Sequence, residues 1–156
     1  MPNWKRNKHN LSNQMLLTGN MGELYPVGCL EVIPKDAIQM QSSALVRVSP
    51  LVAPTMHSCE VRFHQFFVPM RKLWEPGQEA APNDLGFEEF ITGGPDGNDV
   101  QTIPTLSHTA TPANEPLLQY LGIPPVANLE FNALPVYAVN WIWNEFYRDQ
   151  DLATGS

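Results

Sequence analysis

Charge is scarce in this chain. Asp, Glu, Lys and Arg make up 16% of its 156 residues, against about 25% in ordinary soluble domains, so little charge is available to cover a free surface. Cations are almost missing from the second half, where Arg148 is the one basic residue after Trp74. No apolar run approaches the ~18 residues that cross a bilayer, which excludes a transmembrane helix. The start, Met1-Pro2-Asn3-Trp4-Lys5-Arg6-Asn7-Lys8-His9, continues polar and lacks the apolar stretch of a secretory signal, so export by that route is not expected. Two cysteines, Cys29 and Cys59, are too few for a disulfide framework and show no metal-ligand spacing; buried free thiols in a reducing compartment are expected. Without secretion, the Asn10-Leu11-Ser12 sequon carries no weight.

Catalytic signatures are missing as well. The chain has no Gly-rich phosphate loop, His-Glu-x-x-His helix or nucleophile elbow, and His9, His57, His64 and His108 have no spacing that puts two on one metal. Glu88 and Glu89 are adjacent, and neighbours on a helix diverge by about 100°, so they read as a solvated face. Asp96-Gly97-Asn98-Asp99 resembles the start of a calcium loop, but the sixth position is Gln101 and the twelfth is Ser107 where such loops need Gly and Glu. It reads as a turn. No enzyme and no cofactor are indicated.

Proline and apolar residues are what the chain does contain. Fifteen prolines are about twice the usual ~5% and are spread along the chain, which argues against a helix bundle. Hydrophobic residues at 43% exclude a wholly disordered chain. Charge divides sharply: residues 1–74 carry a net +4 and residues 75–156 a net −11. The basic start is therefore expected to face something anionic and the acidic half to face solvent or a basic partner.

Periodicity predicts strands early in the chain. From Ala37 to Ser49, Ile38, Met40, Ala44, Val46 and Val48 share one face with Ser42, and Gln39, Gln41, Ser43, Arg47 and Ser49 share the other. That is the period of a half-buried strand. Val27–Ile33, between Pro26 and Pro34, reads as a shorter strand, and Cys59–Val68 alternates Cys59, Val61 and Phe63 against Glu60, Arg62 and His64. Pro50 and Pro54 prevent the connector from continuing a central ladder, so the chain should turn or cross between sheets. A mainly β, antiparallel sandwich follows.

The second half differs. A short helix is predicted over 84–91, starting at Asp84 and stopping at Gly93-Gly94-Pro95, and another over 116–121. Residues 93–114 show no period and read as a long loop, a length that in compact domains is usually functional or partner-bound. Leu134–Arg148 is apolar around most of its circumference except for a stripe of Asn140, Asn144 and Arg148 at four-residue spacing. Such a helix expects burial on most sides, with Trp143, opposite the stripe, inside. The organisation is therefore a basic arm and extended segment over 1–26, strands over 27–74 and a loop-and-helix insertion over 75–156. Three strands are fewer than a sandwich needs, so one domain is expected to continue beyond this chain.

One segment has binding chemistry. Trp4 can stack on a base, and Lys5, Arg6 and Lys8 beside it can neutralise phosphate.

Several runs are similar to one known family. They are Leu17-Thr18-Gly19-Asn20-Met21-Gly22-Glu23-Leu24-Tyr25-Pro26-Val27, Phe66-Phe67-Val68-Pro69-Met70-Arg71-Lys72-Leu73-Trp74, and Leu134-Pro135-Val136-Tyr137 continuing to Ile142-Trp143-Asn144-Glu145-Phe146-Tyr147-Arg148-Asp149-Gln150-Asp151-Leu152. Together they resemble the major capsid proteins of microviruses, small single-stranded DNA bacteriophages, in the part related to gokushoviruses. The resemblance implies a viral jelly-roll β-sandwich with long loop and helical insertions, only partly covered here, that self-assembles into a T=1 icosahedral shell around a single-stranded DNA genome. It implies capsid subunits, packaged DNA and other virion or scaffolding proteins as partners, no membrane, and a place in the virion after assembly in the bacterial cytoplasm. Low charge then follows from burial against neighbouring subunits. Trp141, Trp143, Phe146, Tyr147 and Arg148 become candidates for subunit packing, and the arm of Trp4, Lys5, Arg6 and Lys8 for contact with DNA. The rival reading is a carbohydrate-binding sandwich in which Trp74 or Trp141 stacks on sugar rings; a jelly-roll enzyme is disfavoured by the missing ligand histidines.

Overall fold

The computed structural model describes residues 7–54, 56–74, 86–94, 97, 102–108 and 116–152. Regular structure is concentrated late in the chain. The elements are helix α1 (Met70–Leu73), helix α2 (Gly86–Thr92), strand β1 (Thr105–Ser107), helix α3 (Pro116–Tyr120), strand β2 (Glu130–Asn132) and helix α4 (Leu134–Ile142), which runs into a π-helical turn, Trp143–Tyr147.

Local chemistry explains the boundaries. Pro116 opens α3 at a position where a missing N–H costs nothing. Gly122, at φ +81°, closes it: its N–H bonds the Gln119 carbonyl at 3.0 Å while Ile123 N–H reaches the Leu118 carbonyl at 2.9 Å. This is a Schellman cap, whose left-handed residue is best supplied by glycine. Helix α4 starts beside the sheet, where Asn132 Oδ1 accepts the Leu134 N–H at 2.9 Å and Pro135 occupies the first turn.

Strands β1 and β2 are antiparallel, with Thr105 opposite Asn132, Leu106 opposite Phe131 and Ser107 opposite Glu130. Bonds from His108 N–H to the Leu129 carbonyl and from Ala133 N–H to the Pro104 carbonyl, both 3.0 Å, continue the ribbon at its two ends. Neither strand is expected from periodicity, because three residues are too few to display a period, and β1 lies inside the stretch read as loop. The helix predicted over 84–91 is observed as α2 one residue further on, Asp84 and Leu85 lying outside the described residues.

A buried cluster forms where α1, α2 and α4 meet. Leu73, Trp74 and Leu134 are buried, with Val68, Phe87, Tyr137, Ala138 and Trp141 packed around them. The Trp74 ring lies 5.0 Å from Phe90 and 6.3 Å from Phe87, and its carbonyl accepts the Phe87 N–H at 3.2 Å. Trp74 is therefore the pin on which the three helices converge.

The early segments do not pair. Among the described residues, 27–33, 37–49 and 59–68 join no ladder, and Ile38, Met40, Val46, Val48, Val61 and Phe63 are exposed. One cause is the turn between the first two segments. Asp36 N–H bonds the Ile33 carbonyl at 3.0 Å, with Pro34 in the second position and Lys35 in the third at φ +76°. That is a type II turn, whose twist splays its flanking strands instead of closing a hairpin. The period of two survives as extended backbone in at least one segment. Glu60 and Arg62, two residues apart, form a two-pronged ion pair at 2.9 and 3.0 Å, and the rings of His64 and Phe66 lie 6.3 Å apart on the same alternation.

Both cysteines are free, as expected, but exposed instead of buried. They sit on the unpaired segments, where no second layer covers them. Although Cys29 is exposed, its own neighbours strip enough water from the thiol to push it up from its ordinary value, helped by the charge of Glu31.

Candidate functional site

Two groups of residues were expected to carry function, and they fare differently. Of the arm, Trp4, Lys5 and Arg6 lie outside the described residues, and Lys8 is exposed. The helical group forms a definite arrangement. Trp141, on α4, meets Phe146 edge-on with ring centroids 6.0 Å apart, and Phe146 lies 4.8 Å from Phe66. Tyr147 stacks on His64 at 5.8 Å with rings inclined by 5°, its hydroxyl is hydrogen-bonded to His64 Nδ1, and Phe66 stands edge-on to it at 6.1 Å. Three of the five residues assigned to subunit packing thus contact the extended segment 59–68 or each other within one chain.

The remaining two depart from the predicted helix. Leu134–Arg148 is not one α-helix: α geometry ends at Ile142, and Arg148 lies beyond the π turn with extended backbone. Its N–H bonds the Trp143 carbonyl at 2.8 Å, five residues back. The extra residue in the turn breaks the four-residue stripe: Asn140 is exposed, while Asn144 and Arg148 are half-buried. Trp143, expected inside, is half-buried, although it still has α geometry with its N–H on the Val139 carbonyl.

The sugar-stacking alternative loses its residues here. Trp74 is only 4% exposed, and Trp141 is half-buried with its ring against Phe146. Trp74 presents no free face, and Trp141 presents part of one. Among the described residues there is also no group of three His, Cys, Asp or Glu able to hold a metal, and no helix long and apolar enough to cross a membrane.

A second junction ties the start of the chain to α3. Tyr25 folds back over Gly19, where a Cβ would fall 2.5 Å from its hydroxyl oxygen and 2.7 Å from its Cε2, so any larger residue at 19 would push the Tyr25 ring aside. Asn20 N–H donates to the Tyr25 hydroxyl oxygen at 2.6 Å, and the hydroxyl is hydrogen-bonded to the Glu23 carboxylate. The Tyr25 bond first, and a bond from Asn20 Nδ2 to Glu23 Oε1 at 3.3 Å second, hold the Glu23 carboxyl below its ordinary value, while the Glu23 bond raises the Tyr25 phenol above its own. The Tyr120 ring meets Tyr25 edge-on at 5.1 Å, and its hydroxyl donates to the Thr18 carbonyl at 3.1 Å.

Sequence reasoning missed the partners in both junctions. His64 and Phe66 fall on the face of 59–68 that reads as polar, since Glu60 and Arg62 dominate it. Alternation sorts side chains into two faces but does not say which face a distant helix will meet.

Comparison with known proteins gives a consistent result. A family model described as "Capsid protein (F protein)" matches residues 2–155. The chain is 35% identical to capsid protein VP1 of Bdellovibrio phage phiMH2K, over 94% of this chain and 26% of that protein. It is 31% identical to capsid protein VP1 of Chlamydia phage 1, over 95% and 25%, and 28% identical to that of Spiroplasma virus 4, over 96% and 26%. The chain spans about a quarter of the length of these relatives. No solved structure gives a significant match.

Proposed function

Because the chain belongs to the capsid protein (F protein) family of phages, we propose that it is part of a structural capsid subunit and that its work is assembly, without catalysis. Segments 27–33, 37–49 and 59–68 are strands of a mainly β, jelly-roll wall whose partners come from the rest of the subunit and from its neighbours. The observation that carries this reading is the exposure of Ile38, Met40, Val46, Val48, Val61 and Phe63 along those segments. So many aligned apolar side chains mark a surface made to be covered. A shell subunit of low charge covers them by assembling.

On this reading, Trp141, Trp143, Phe146, Tyr147 and Arg148 order the edge of the subunit, and their uncovered surfaces meet neighbouring copies. The arm, with Trp4, Lys5, Arg6 and Lys8, faces the interior and touches packaged single-stranded DNA. Three phosphate contacts on single-stranded DNA give a log–log salt slope of roughly −2 per arm, and many copies on one genome act together. The contact is sequence-tolerant, since neither phosphate attraction nor indole stacking reads base edges. The particle is the icosahedral virion, completed with other virion or scaffolding proteins.

Electron microscopy of the purified full-length protein tests the central statement, because a shell subunit alone requires closed particles; a monodisperse monomer with no particles would overturn it. The arm is tested in the same particles with Lys5, Arg6 and Lys8 all changed to Gln. DNA content and the salt resistance of packaging should both fall. Unchanged values would place genome contact elsewhere.

A further inference from the structure

The π turn at Trp143–Tyr147 does not follow from its sequence alone, and the contacts around it point to what selects it. In an α-helix, residues five apart lie about 140° from each other round the axis and face away. Trp141 and Phe146 are five apart, yet their rings meet at 6.0 Å. The extra residue of the π turn gives positions i and i+5 the relation that i and i+4 have in an α-helix. The same insertion sets Phe146 against Phe66 and Tyr147 against His64. Continued α geometry would carry both rings round the helix, away from the extended segment that holds their partners.

We infer that His64 and Phe66 act as a register lock: by gripping Tyr147 and Phe146 they select the π turn over a continuous α-helix, and so fix the phase in which the chain leaves the helix at Arg148. The lock is a two-state element. With the segment docked, Arg148 N–H bonds the Trp143 carbonyl, as observed at 2.8 Å. With it detached, the same N–H bonds the Asn144 carbonyl four residues back, and everything after Tyr147 turns by about one residue's rotation, roughly 100°. The inference concerns the geometry of one chain, and its test, read in particles, rests on the assembly reading. Wild-type particles without the expected change on mutation would fault the inference alone, and absence of wild-type particles would fault the assembly reading. The consequence for assembly is that segment 59–68 must dock before the surface after Arg148 is correctly aimed.

The test uses the full-length protein with His64 and Phe66 both changed to Ala, imaged as particles at a resolution that traces the backbone. The expected result is loss of the π turn, with the Arg148 amide paired to the Asn144 carbonyl and Phe146 turned off Trp141. A retained π turn overturns the inference. Should the double variant give no particles, deleting Glu145 from it provides the second measurement. The deletion leaves Phe146 four residues from Trp141, which is same-face spacing in an α-helix, and returns Arg148 and its successors to their original phase. Particle yield should recover. Glu145→Ala removes the same exposed carboxylate without altering the register and should not restore yield. Failure of the deletion to rescue, or equal rescue by Glu145→Ala, overturns the inference.

Discussion

Replacing Trp74 by Ala removes the side chain on which α1, α2 and α4 converge. The ring is 4% exposed and stands 5.0 Å from Phe90 and 6.3 Å from Phe87, with Leu73 and Leu134 in the same buried cluster. Truncating a buried Trp or Phe to Ala costs ~3–5 kcal/mol, because the lost transfer energy is joined by that of the cavity left behind. Two ring pairs, each about 0.5–1.5 kcal/mol beyond their buried area, place Trp74 in the upper part of that range. At 1.4 kcal/mol per tenfold, even ~3 kcal/mol lowers the ratio of folded to unfolded subunits about a hundredfold. The assay is particle yield together with the temperature at which heated particles release their contents to a fluorescent dye. Trp74→Ala should give few particles or markedly heat-sensitive ones, and Trp74→Phe, which keeps a ring against Phe90, should lose much less. Trp143→Ala is the comparison. That ring is half-buried within the chain, so its own contacts account for about 1–2 kcal/mol, and a larger loss would mean that a neighbouring subunit covers it. Trp74→Ala particles of normal yield and heat resistance would refute the argument.

Gly19→Ala should dislodge Tyr25, because the added methyl falls 2.5 Å from the hydroxyl oxygen. The ring must swing away, and hydrogen exchange at the Asn20 amide, now bonded to Tyr25, should accelerate; unchanged protection would contradict the close approach. The same turn should respond to pH. Glu23 is held below its ordinary value of 4.5, chiefly by Tyr25, so its contribution is complete above 4.5 and disappears as pH falls through the lowered value. Tyr25 is raised from 10.0, so its contribution is complete below 10.0 and is lost as pH rises through the raised value. The difference in heat resistance between wild-type and Tyr25→Phe particles should therefore be flat between those limits and shrink at both ends, and a difference that grew towards acid would reverse the assigned sign.

The parts legible in the sequence are those fixed by neighbours along the chain. Pro116 and Gly122 bracket α3, and the apolar run from Leu134 marks α4, because capping and propensity act over a few residues. Alternation in 59–68 reads as a strand, but among the described residues the segment joins no ladder, and the alternation shows only in contacts between residues two apart. What that backbone contacts is a matter of distant geometry: His64 meets Tyr147 across 83 residues, and Tyr120 meets Thr18 across 102. No local signal encodes such pairs. The π turn was invisible for a related reason, since Asn140, Asn144 and Arg148 have good α spacing and only the packing of Phe146 and Tyr147 overrides it. The arm rests on composition alone: Trp4, Lys5 and Arg6 are described by no contact, and Lys8 only by its exposure.

The separation of His64 from Tyr147 also sets a clock. A ribosome adds ~5–20 residues per second, so the 83 residues between the two take roughly 4 to 17 s to make. Throughout that interval the segment 59–68 is outside or emerging with Val61, Phe63 and Phe66 uncovered and no helix to dock on. Closing so long a loop adds an entropic cost that grows only with the logarithm of its length, so the delay in supply, more than the closure itself, governs how long the segment stays bare. Slower translation upstream of Leu134 would lengthen that exposure and favour clumping of nascent chains, whereas a pause placed far enough beyond Leu152 for residues 134–147 to have left the ribosome would give His64 and Tyr147 time to meet.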